Sequence, residues 1–346
     1  MKRRNFIKIS SIGVSVIPLM GLFQNACTNV AASGNTFMLF QDPPQSAGVF
    51  VRWWWNGNKI TETEIIRELD ILKQAGIRGV EINPIEFPGN DSIGMGIESL
   101  DWLSDDWVKM VDVCLREAAK RDIACDLLVG SGWPFGGKFL PREHQTQTLI
   151  PGNKRLKGPV QVIYLIEDLC KDTIPRTGTF NKDEYYEIFD IRLVDADMKV
   201  FHPGKELISM VKDGSITVDI PEGNFVLYYL VQHTGYQNVI HGSPGADGPV
   251  VNHYNEAAVK AYLDNMSSGL FSKLGKLPSN FRSMFIDSIE LDGANWTEDM
   301  PEQFMKRRGY DVRDYLPFIL FKTGALGLPV EGSQVQYSSD IEDIIT

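Results

Sequence analysis

The chain has 346 residues, of which 43% are hydrophobic and 10% aromatic, and its formal net charge is −11. This is enough apolar material for one large domain or two ordinary ones. The acidic balance excludes a typical nucleic-acid binder, because such proteins need a basic surface to contact phosphates. A neutral, polyhydroxylated substrate or a divalent cation suits the charge better.

The first 27 residues have the pattern of an export signal. A twin-arginine motif at 2–8 precedes an apolar run at 9–23, which is short for a transmembrane helix. A small residue then precedes Cys27, as in a loose bacterial lipobox. We expect an exported protein, periplasmic or anchored in the outer membrane of a Gram-negative bacterium by a lipid on Cys27. The alternative is a signal peptide in which Cys27 has no role.

The segment 28–48 has the composition of a flexible tether, and a first strand follows at about 49–56. This strand carries three consecutive tryptophans, which cannot all face one core. At least one ring must face outward or over a cavity, where a sugar ring could stack on it. Trp54, with Asn56 beside it, is therefore a candidate substrate-binding residue. Plain core and rim packing is the alternative for each tryptophan.

A helix and a second strand come next. The capping box Thr61-x-x-Glu64 opens the helix, and Gly76 ends it. The second strand covers 78–84, and the order strand–helix–strand predicts a parallel sheet. Glu81 in this strand is a candidate sugar or metal ligand, with a salt bridge to a neighbouring arginine as the alternative.

The third strand, at 121–129, opens into a glycine-rich loop at 130–137. Its four glycines would let the backbone approach a ligand, and Trp133 would offer a stacking platform. The loop lacks the motifs of phosphate and dinucleotide sites. His144, shortly after the loop, could contact substrate or cap a helix. Asp126 lies mid-strand and is expected to be an interior acid with satisfied hydrogen bonds.

The pattern changes between residues 151 and 235. Alternating apolar and polar residues, separated by Gly, Pro and Asp, predict short strands with no helix between them. The predicted strands lie at 160–166, 187–193, 216–220 and 225–231. We expect an inserted β-rich domain of sandwich type.

The fourth strand ends in several polar side chains. An apolar run at 284–286 is typical of a buried strand, and acids at such a strand end are costly unless paired, metal-bound or catalytic. Glu290 is therefore the candidate catalytic acid. Asp287, three residues earlier, would point to the other face of a strand; it is a candidate orienting or metal-side residue, or a structural hydrogen-bond acceptor. Asn295 fits sugar-hydroxyl binding, and Trp296 is a candidate substrate-binding residue that could also raise the acid's pKa by desolvation.

Neither the cysteines nor the histidines have the spacing of a metal site. Three cysteines beyond Cys27 are expected to be small buried apolar side chains: Cys114, Cys125 and Cys170. Three histidines lack the spacing of zinc ligands: His233, His241 and His253. The sequence alone therefore assigns no metal ligand.

The strand–helix units predict a (β/α)8 barrel interrupted by a β-sandwich-like insertion. The barrel segments, 49–150 and 236–346, flank the insertion at 151–235. They supply about four of the eight units that a complete barrel needs, at about 250 residues without insertions. We expect the chain to be the N-terminal portion of a longer enzyme.

Six motifs, in order along the chain, resemble glycoside hydrolase family 106, the α-L-rhamnosidases. They are Arg52-Trp-Trp-Trp-Asn-Gly-Asn58, Ile77-Arg-Gly-Val-Glu81, Gly132-Trp133-x-x-Gly136-Gly137, Asp287-Ser-Ile-Glu290, Asn295-Trp296-Thr297 and Arg307-Arg308-Gly309-Tyr310-Asp311. Each motif alone is weak, and their order and spacing are fairly specific.

The resemblance implies a (β/α)8 catalytic barrel with accessory β domains and inverting hydrolysis of α-L-rhamnosides in plant or complex glycans. It also implies a calcium ion, and it places the general acid at Glu290 and the general base beyond Thr346. Two alternatives stay open. One is a non-catalytic glycan-binding surface lipoprotein, or an inactive fragment without the base. The other is a different glycosidase specificity on the same scaffold.

Overall fold

The computed structural model describes residues 36–44, 47–89, 96–174, 185–198, 202–286, 288–291 and 293–317. The predictions made for the export signal, Cys27, Asp287 and the residues after 317 lie outside these ranges. Among the helices in the described ranges, none is long and apolar enough to cross a membrane.

The chain divides into two compact units, Met1–Val49 and Phe50–Thr346. The described part of the first unit includes a six-residue helix, α1 (Thr36–Gln41). This helix stands in the segment predicted to be a tether, and its described side chains are exposed. Composition alone did not indicate it, because so short a helix has little periodic signal.

In its described residues, the second unit combines helices with one parallel and one antiparallel sheet. Its helices are α2 (Glu62–Gln74), α3 (Asp105–Lys120), α4 (Ile166–Thr173), α5 (Glu256–Leu274) and α6 (Met300–Arg308). Its strands are β1 (Phe50–Asn56), β2 (Gly79–Ile85), β3 (Ala124–Leu128), β4 (Gln147–Leu165), β5 (Tyr185–Asp195), β6 (Lys205–Glu206), β7 (Ser215–Thr234) and β8 (Phe281–Phe285).

Local capping explains where the helices begin. Thr61 accepts a hydrogen bond from the Glu64 N–H at α2, as the capping box predicts. Asn255 accepts from the Ala258 N–H at the start of α5. Capping also explains where α6 ends, because Gly309 adopts the left-handed conformation typical of a helix C-terminus.

The parallel sheet has the strand order β1-β2-β3-β8, as the strand–helix units predict. One face packs against α2, α3 and α5. The buried side chains on this face of the sheet are Trp53, Trp55, Val80, Ile82, Cys125 and Leu127. The prediction that Cys114, Cys125 and Cys170 are buried thiols is confirmed.

The opposite face of the parallel sheet is polar. Asp126 is only 2% exposed, and its carboxylate accepts hydrogen bonds from Arg282 Nε at 2.9 Å and Ser283 Oγ at 2.8 Å. The prediction of a satisfied interior acid is confirmed. The carboxylate raises the pKa of the Arg282 guanidinium through this hydrogen bond.

The fourth strand of the sheet, β8, differs from its prediction as a buried strand. Its residues are half-buried or exposed, and Ile286 and Ile289 just beyond it are about half exposed, at 49% and 48%. The reason is its position, because β8 pairs only with β3 among the described strands. These four strands do not form a closed barrel, so the fold is a mixed α/β arrangement.

The insertion forms one antiparallel sheet, β4-β7-β5-β6, within the described residues. The predicted strands 216–220 and 225–231 are one continuous strand, β7. Gly223 pairs with Gly158 of β4, and the pairing continues past an adjacent register shift of the bulge type. A short helix, α4, also lies in this region, where none was predicted. The expected sandwich would need two sheets packed face to face. The described residues of the insertion form a single sheet.

The residues after β8 pack against the antiparallel sheet. Trp296, Phe304 and Val312 join a core with Tyr228 and Leu230 of β7. This packing places the segment 296–312, which follows β8, against the antiparallel sheet of the insertion.

A buried charge pair lies at the same contact. Arg192 donates to Asp190 at 2.7 Å and approaches Asp314 at 3.1 Å. Burial raises the pKa of Asp190 despite the guanidinium beside it.

Candidate functional site

All four strands of the parallel sheet end at one edge, at Asn56, Ile85, Leu128 and Phe285. In α/β proteins this carboxyl edge is where ligands bind. The segment 235–250, which we call the crossing loop, runs over this edge.

Backbone hydrogen bonds fix the crossing loop to the ends of β2 and β3. Trp133 and Ile240 exchange two bonds, at 3.0 and 2.8 Å. The Glu86 N–H donates to the His241 carbonyl at 2.9 Å. The Ser243 N–H donates to Ser131 Oγ at 2.8 Å.

Glycines permit this close approach. A Cβ on Gly132 would lie 2.3 Å from the Ile240 carbonyl oxygen, and one on Gly136 would lie 2.1 Å from that of Pro249. Such distances are not possible for a side chain, so only glycine fits. The glycine-rich loop expected to approach a ligand therefore approaches the crossing loop at these two positions.

Four rings line up along the carboxyl edge, and we call them the aromatic row: Trp54, Phe87, His241 and Trp133. Ring centroids are 5.3 Å apart for Trp54 and Phe87, 6.3 Å for Phe87 and His241, and 5.2 Å for His241 and Trp133. Trp54 and Phe87 are 42% and 37% exposed, and the other two rings are half-buried. The row thus presents an accessible aromatic surface.

Trp54 is the outward-facing member of the three tryptophans. Trp53 and Trp55 are buried, and alternation along the strand turns Trp54 to the polar face. There the Arg52 guanidinium lies 5.5 Å from the Trp54 ring and pairs with Glu81 at 3.4 Å. For Glu81, the structure therefore has the salt bridge that the sequence left open as the alternative to ligand binding.

Glu290 follows β8, and its side chain is exposed. Its backbone carbonyl accepts a hydrogen bond from Gln237 Nε2 of the crossing loop at 2.6 Å. The candidate acid is therefore linked to the same loop that contributes His241 to the aromatic row.

The two polar candidates after Glu290 have structural positions. The Asn295 amide bonds the backbone N–H and carbonyl of Leu149, at 2.8 and 3.3 Å, so it does not face a sugar. Trp296 is 1% exposed, with its ring 5.0 Å from that of Phe189. Trp296 is thus a core side chain rather than an exposed stacking ring, because the loop folds back onto the antiparallel sheet.

Asn56 and His144 have local roles in the structure. Asn56 Oδ1 accepts from the Phe87 N–H at 3.0 Å, which positions a ring of the aromatic row. His144 ends a short 3-10 helix, and its carbonyl accepts from the Asn252 N–H at 2.8 Å. The imidazole is half-buried, and Nδ1 has no hydrogen-bond partner among the described residues.

Three residues of this edge were not foreseen from the sequence: Phe87, Gln237 and His241. They lie in loops, where no periodic pattern marks them. Their roles follow from contacts with other segments, between 31 and 154 positions away, which a single sequence does not reveal.

A calcium site does not emerge from the described residues. Within these ranges, no three Asp, Glu, His or Cys side chains come together as metal ligands. Asp287 and Asp292 lie outside them. The calcium ion implied by the resemblance stays a prediction, and we derive no catalytic step from it.

Residues 205–326 match the family model of the alpha-L-rhamnosidases of glycoside hydrolase family 106. The resemblance drawn from the sequence motifs is thus confirmed for this segment, which includes β8, Glu290 and α6. The matched segment is therefore similar to rhamnosidases of a glycoside hydrolase family.

Two longer proteins are similar to most of the chain. A protein of Formosa agariphila named as a beta-glucuronidase is 22% identical over 335 residues, covering 88% of this chain and 28% of that protein. The solved structure of a rhamnosidase from Novosphingobium sp. PP1Y superposes with a TM-score of 0.58 at 17% identity. This match covers 89% of this chain and 44% of the rhamnosidase chain, and it shows a shared fold. The chain therefore spans less than half the length of either relative.

Proposed function

We propose that this chain carries the acid half of an inverting glycoside hydrolase site for α-L-rhamnosides, with Glu290 as general acid. The observation that supports it is the link from the Glu290 backbone through Gln237 to the loop that bears the aromatic row. Aromatic rings suit the apolar face of a sugar, and a carboxyl group at the same edge suits its glycosidic oxygen.

The chemistry asks for a proton on the leaving oxygen and a second carboxylate that activates water, about 6.5–9.5 Å away. In this proposal Glu290 donates the proton, and Trp54 and Trp133 hold the sugar. The second carboxylate is not assigned to a described residue. The export signal and the lipid on Cys27 belong to the same proposal, because complex glycans are met outside the cell.

Hydrolysis of aryl α-L-rhamnosides by the full chain tests the acid. Glu290→Gln should lower kcat by on the order of 10²–10⁴ for a poor leaving group, and by less for an activated aryl group that needs little protonation. Glu298→Gln, at an exposed position in the same segment, is the matched control and should retain the wild-type rate. Equal rates for wild type and Glu290→Gln would remove Glu290 from the mechanism.

Aryl β-D-glucuronides provide the competing substrate, given the name of the Formosa agariphila relative. The proposal expects faster hydrolysis of the rhamnoside. Faster hydrolysis of the glucuronide would overturn the rhamnoside assignment without affecting the role of Glu290.

A second candidate is glycan binding without turnover. It is favoured by the exposure of Glu290, since a general acid commonly lies in an apolar pocket that keeps it protonated. Calorimetry would support this candidate if rhamnosides bind, Trp54→Ala weakens binding, and no sugar is released.

A further inference from the structure

A second concave site lies between the first turn of α5 and one side of α6, from Met300 to Arg307, and we call it the α5–α6 pocket. Its volume is about 420 Å³, within the range that small-molecule sites occupy. Since α5 ends shortly before β8 begins, its first turn lies near the carboxyl edge. Helix α6 follows β8, so its first turn lies on the same side.

The pocket combines an aromatic ring, an apolar wall and polar groups. Tyr254 is 46% exposed, and Phe304 is 1% exposed. Glu256, Asp299 and Arg307 supply acceptors and donors around them. Aromatic surface with a few placed polar groups is how proteins bind sugars and other small polar ligands.

Several of these groups are held in place. The Tyr254 hydroxyl donates to the Ala294 carbonyl at 3.2 Å, and its backbone N–H donates to Asn252 Oδ1 at 3.1 Å. The Asp299 carboxylate accepts from Thr297 Oγ1 at 3.3 Å and from Gln303 Nε2 at 3.1 Å. A ligand would therefore meet a largely prearranged ring and carboxylate, which lowers the entropic cost of binding.

Two charged groups of the pocket remain available. Within the described part of the chain, neither the Arg307 guanidinium nor the Glu256 carboxylate has a hydrogen-bond or ion-pair partner. A guanidinium can donate to two hydroxyls at once, and a carboxylate can accept from two. Adjacent hydroxyls on a sugar ring present that arrangement.

We propose that the α5–α6 pocket is a subsite for a neutral sugar unit of the glycan whose terminal rhamnose lies at Glu290. The neutral charge follows from composition, because Glu256 and Asp299 outnumber Arg307 and disfavour an anionic sugar. Tyr254 bonds Ala294, four residues after Glu290, and the chain places the Cα atoms of Ala294 and Glu290 at most about 14 Å apart. One short oligosaccharide can span that interval. This inference rests on the proposed function for its order of sugars.

Affinity of the full chain for a neutral trisaccharide ending in α-L-rhamnose tests the subsite. The measurement uses the Glu290→Gln background, so that it does not depend on turnover. Tyr254→Ala and Arg307→Ala should each weaken binding roughly tenfold, the loss expected when a stacking or charged contact is removed. Tyr254→Phe, which keeps the ring, should retain most of the affinity. Lys306→Ala, an exposed neighbour on α6, is the control and should bind normally.

Methyl α-L-rhamnoside and a trisaccharide with an internal uronate complete the test. Tighter binding of the neutral trisaccharide than of both probes supports the subsite. Equal affinity for methyl α-L-rhamnoside would overturn it, and tighter binding of the uronate probe would overturn the neutral-sugar assignment. If the pocket variants lose affinity while wild type hydrolyses no rhamnoside, the subsite stands and the proposed catalysis fails.

Discussion

The side-chain amide of Asn295 pairs with the backbone of Leu149 as a neighbouring strand would, accepting from its N–H and donating to its carbonyl. Two further bonds join the same segments, from Thr148 Oγ1 to the Gly293 carbonyl at 2.8 Å and from the Asn295 N–H to the Gln147 carbonyl at 3.3 Å. The loop that carries the candidate acid is thereby fixed to the first residues of β4.

Asn295→Ala should lower the free energy of unfolding by about 1–3 kcal/mol, because it leaves a backbone N–H and carbonyl of Leu149 without partners. Urea denaturation measures the effect. Asn153→Ala, at an exposed position on β4, is the control and should change stability by less than about 0.5 kcal/mol. Equal stability of the two variants would show that the amide pairing contributes nothing.

Two tryptophans assigned to substrate binding from the sequence should behave differently. Trp296→Ala should cost about 3–5 kcal/mol of stability, since it empties a core position that is 1% exposed. Trp54→Ala should cost much less and should weaken glycan binding. Thermal melts and calorimetry measure the two effects. A Trp54→Ala variant as unstable as Trp296→Ala would contradict the placement of Trp54 at the surface.

Gly132→Ala should disrupt the contact between β3 and the crossing loop. Gly132 combines a φ of +69° with a Cβ position 2.3 Å from the Ile240 carbonyl oxygen. Gly89→Ala is the matched control, because Gly89 has a φ of +76° and no atom within 4 Å of its Cβ position.

The control should lose only the backbone-strain energy, about 1–2 kcal/mol. Gly132→Ala should lose clearly more, as measured by urea denaturation. Similar losses of unfolding free energy for both variants would mean that the crossing loop moves away from the new methyl group at no measurable cost.

His253 should make stability depend on pH. Its imidazole is half-buried with its ring centroid 4.8 Å from that of Phe135, and burial lowers its pKa below the ordinary 6.5. Above pH 6.5 the His253 imidazole is mainly neutral in the folded and in the unfolded protein, so burying it costs no stability in that range. As the pH falls below about 6.5, the unfolded chain binds the proton more readily, and stability decreases.

Denaturation at several pH values between about 5 and 7.5 should show this decrease, and His253→Gln should reduce its slope. A titration of the His253 ring by NMR provides the pKa directly. An unchanged slope in His253→Gln would assign the pH dependence to other groups.

The elements whose signals are local were predicted well. The Thr61 cap and the end of α2 near Gly76 each depend on a few neighbouring residues. The parallel order of the first three strands followed from the strand–helix alternation, which is also a local pattern.

The remainder depends on contacts between distant segments. Pro221 and Gly223 are residue types typical of a turn. In the structure, Gly223 pairs with Gly158 of β4, and β7 continues through this position. Trp296 is a residue type that suits a binding site, and its packing against the antiparallel sheet and α6 buries it. Gln237 gained its role from a partner 53 positions away. No single-sequence pattern records such pairs.

The arrangement of β3 beside β8 also constrains how the chain folds. Asp126 and Arg282 are bonded neighbours although 156 positions separate them in sequence. Closing a loop of this length costs conformational entropy before the pair can contribute to stability. We therefore expect this part of the sheet to form late and slowly during folding. If the antiparallel pair of β4 and β7 forms first, it brings the two ends of the insertion together and shortens the effective loop. The insertion would then act in cis as a folding template for the sheet that bears the proposed acid.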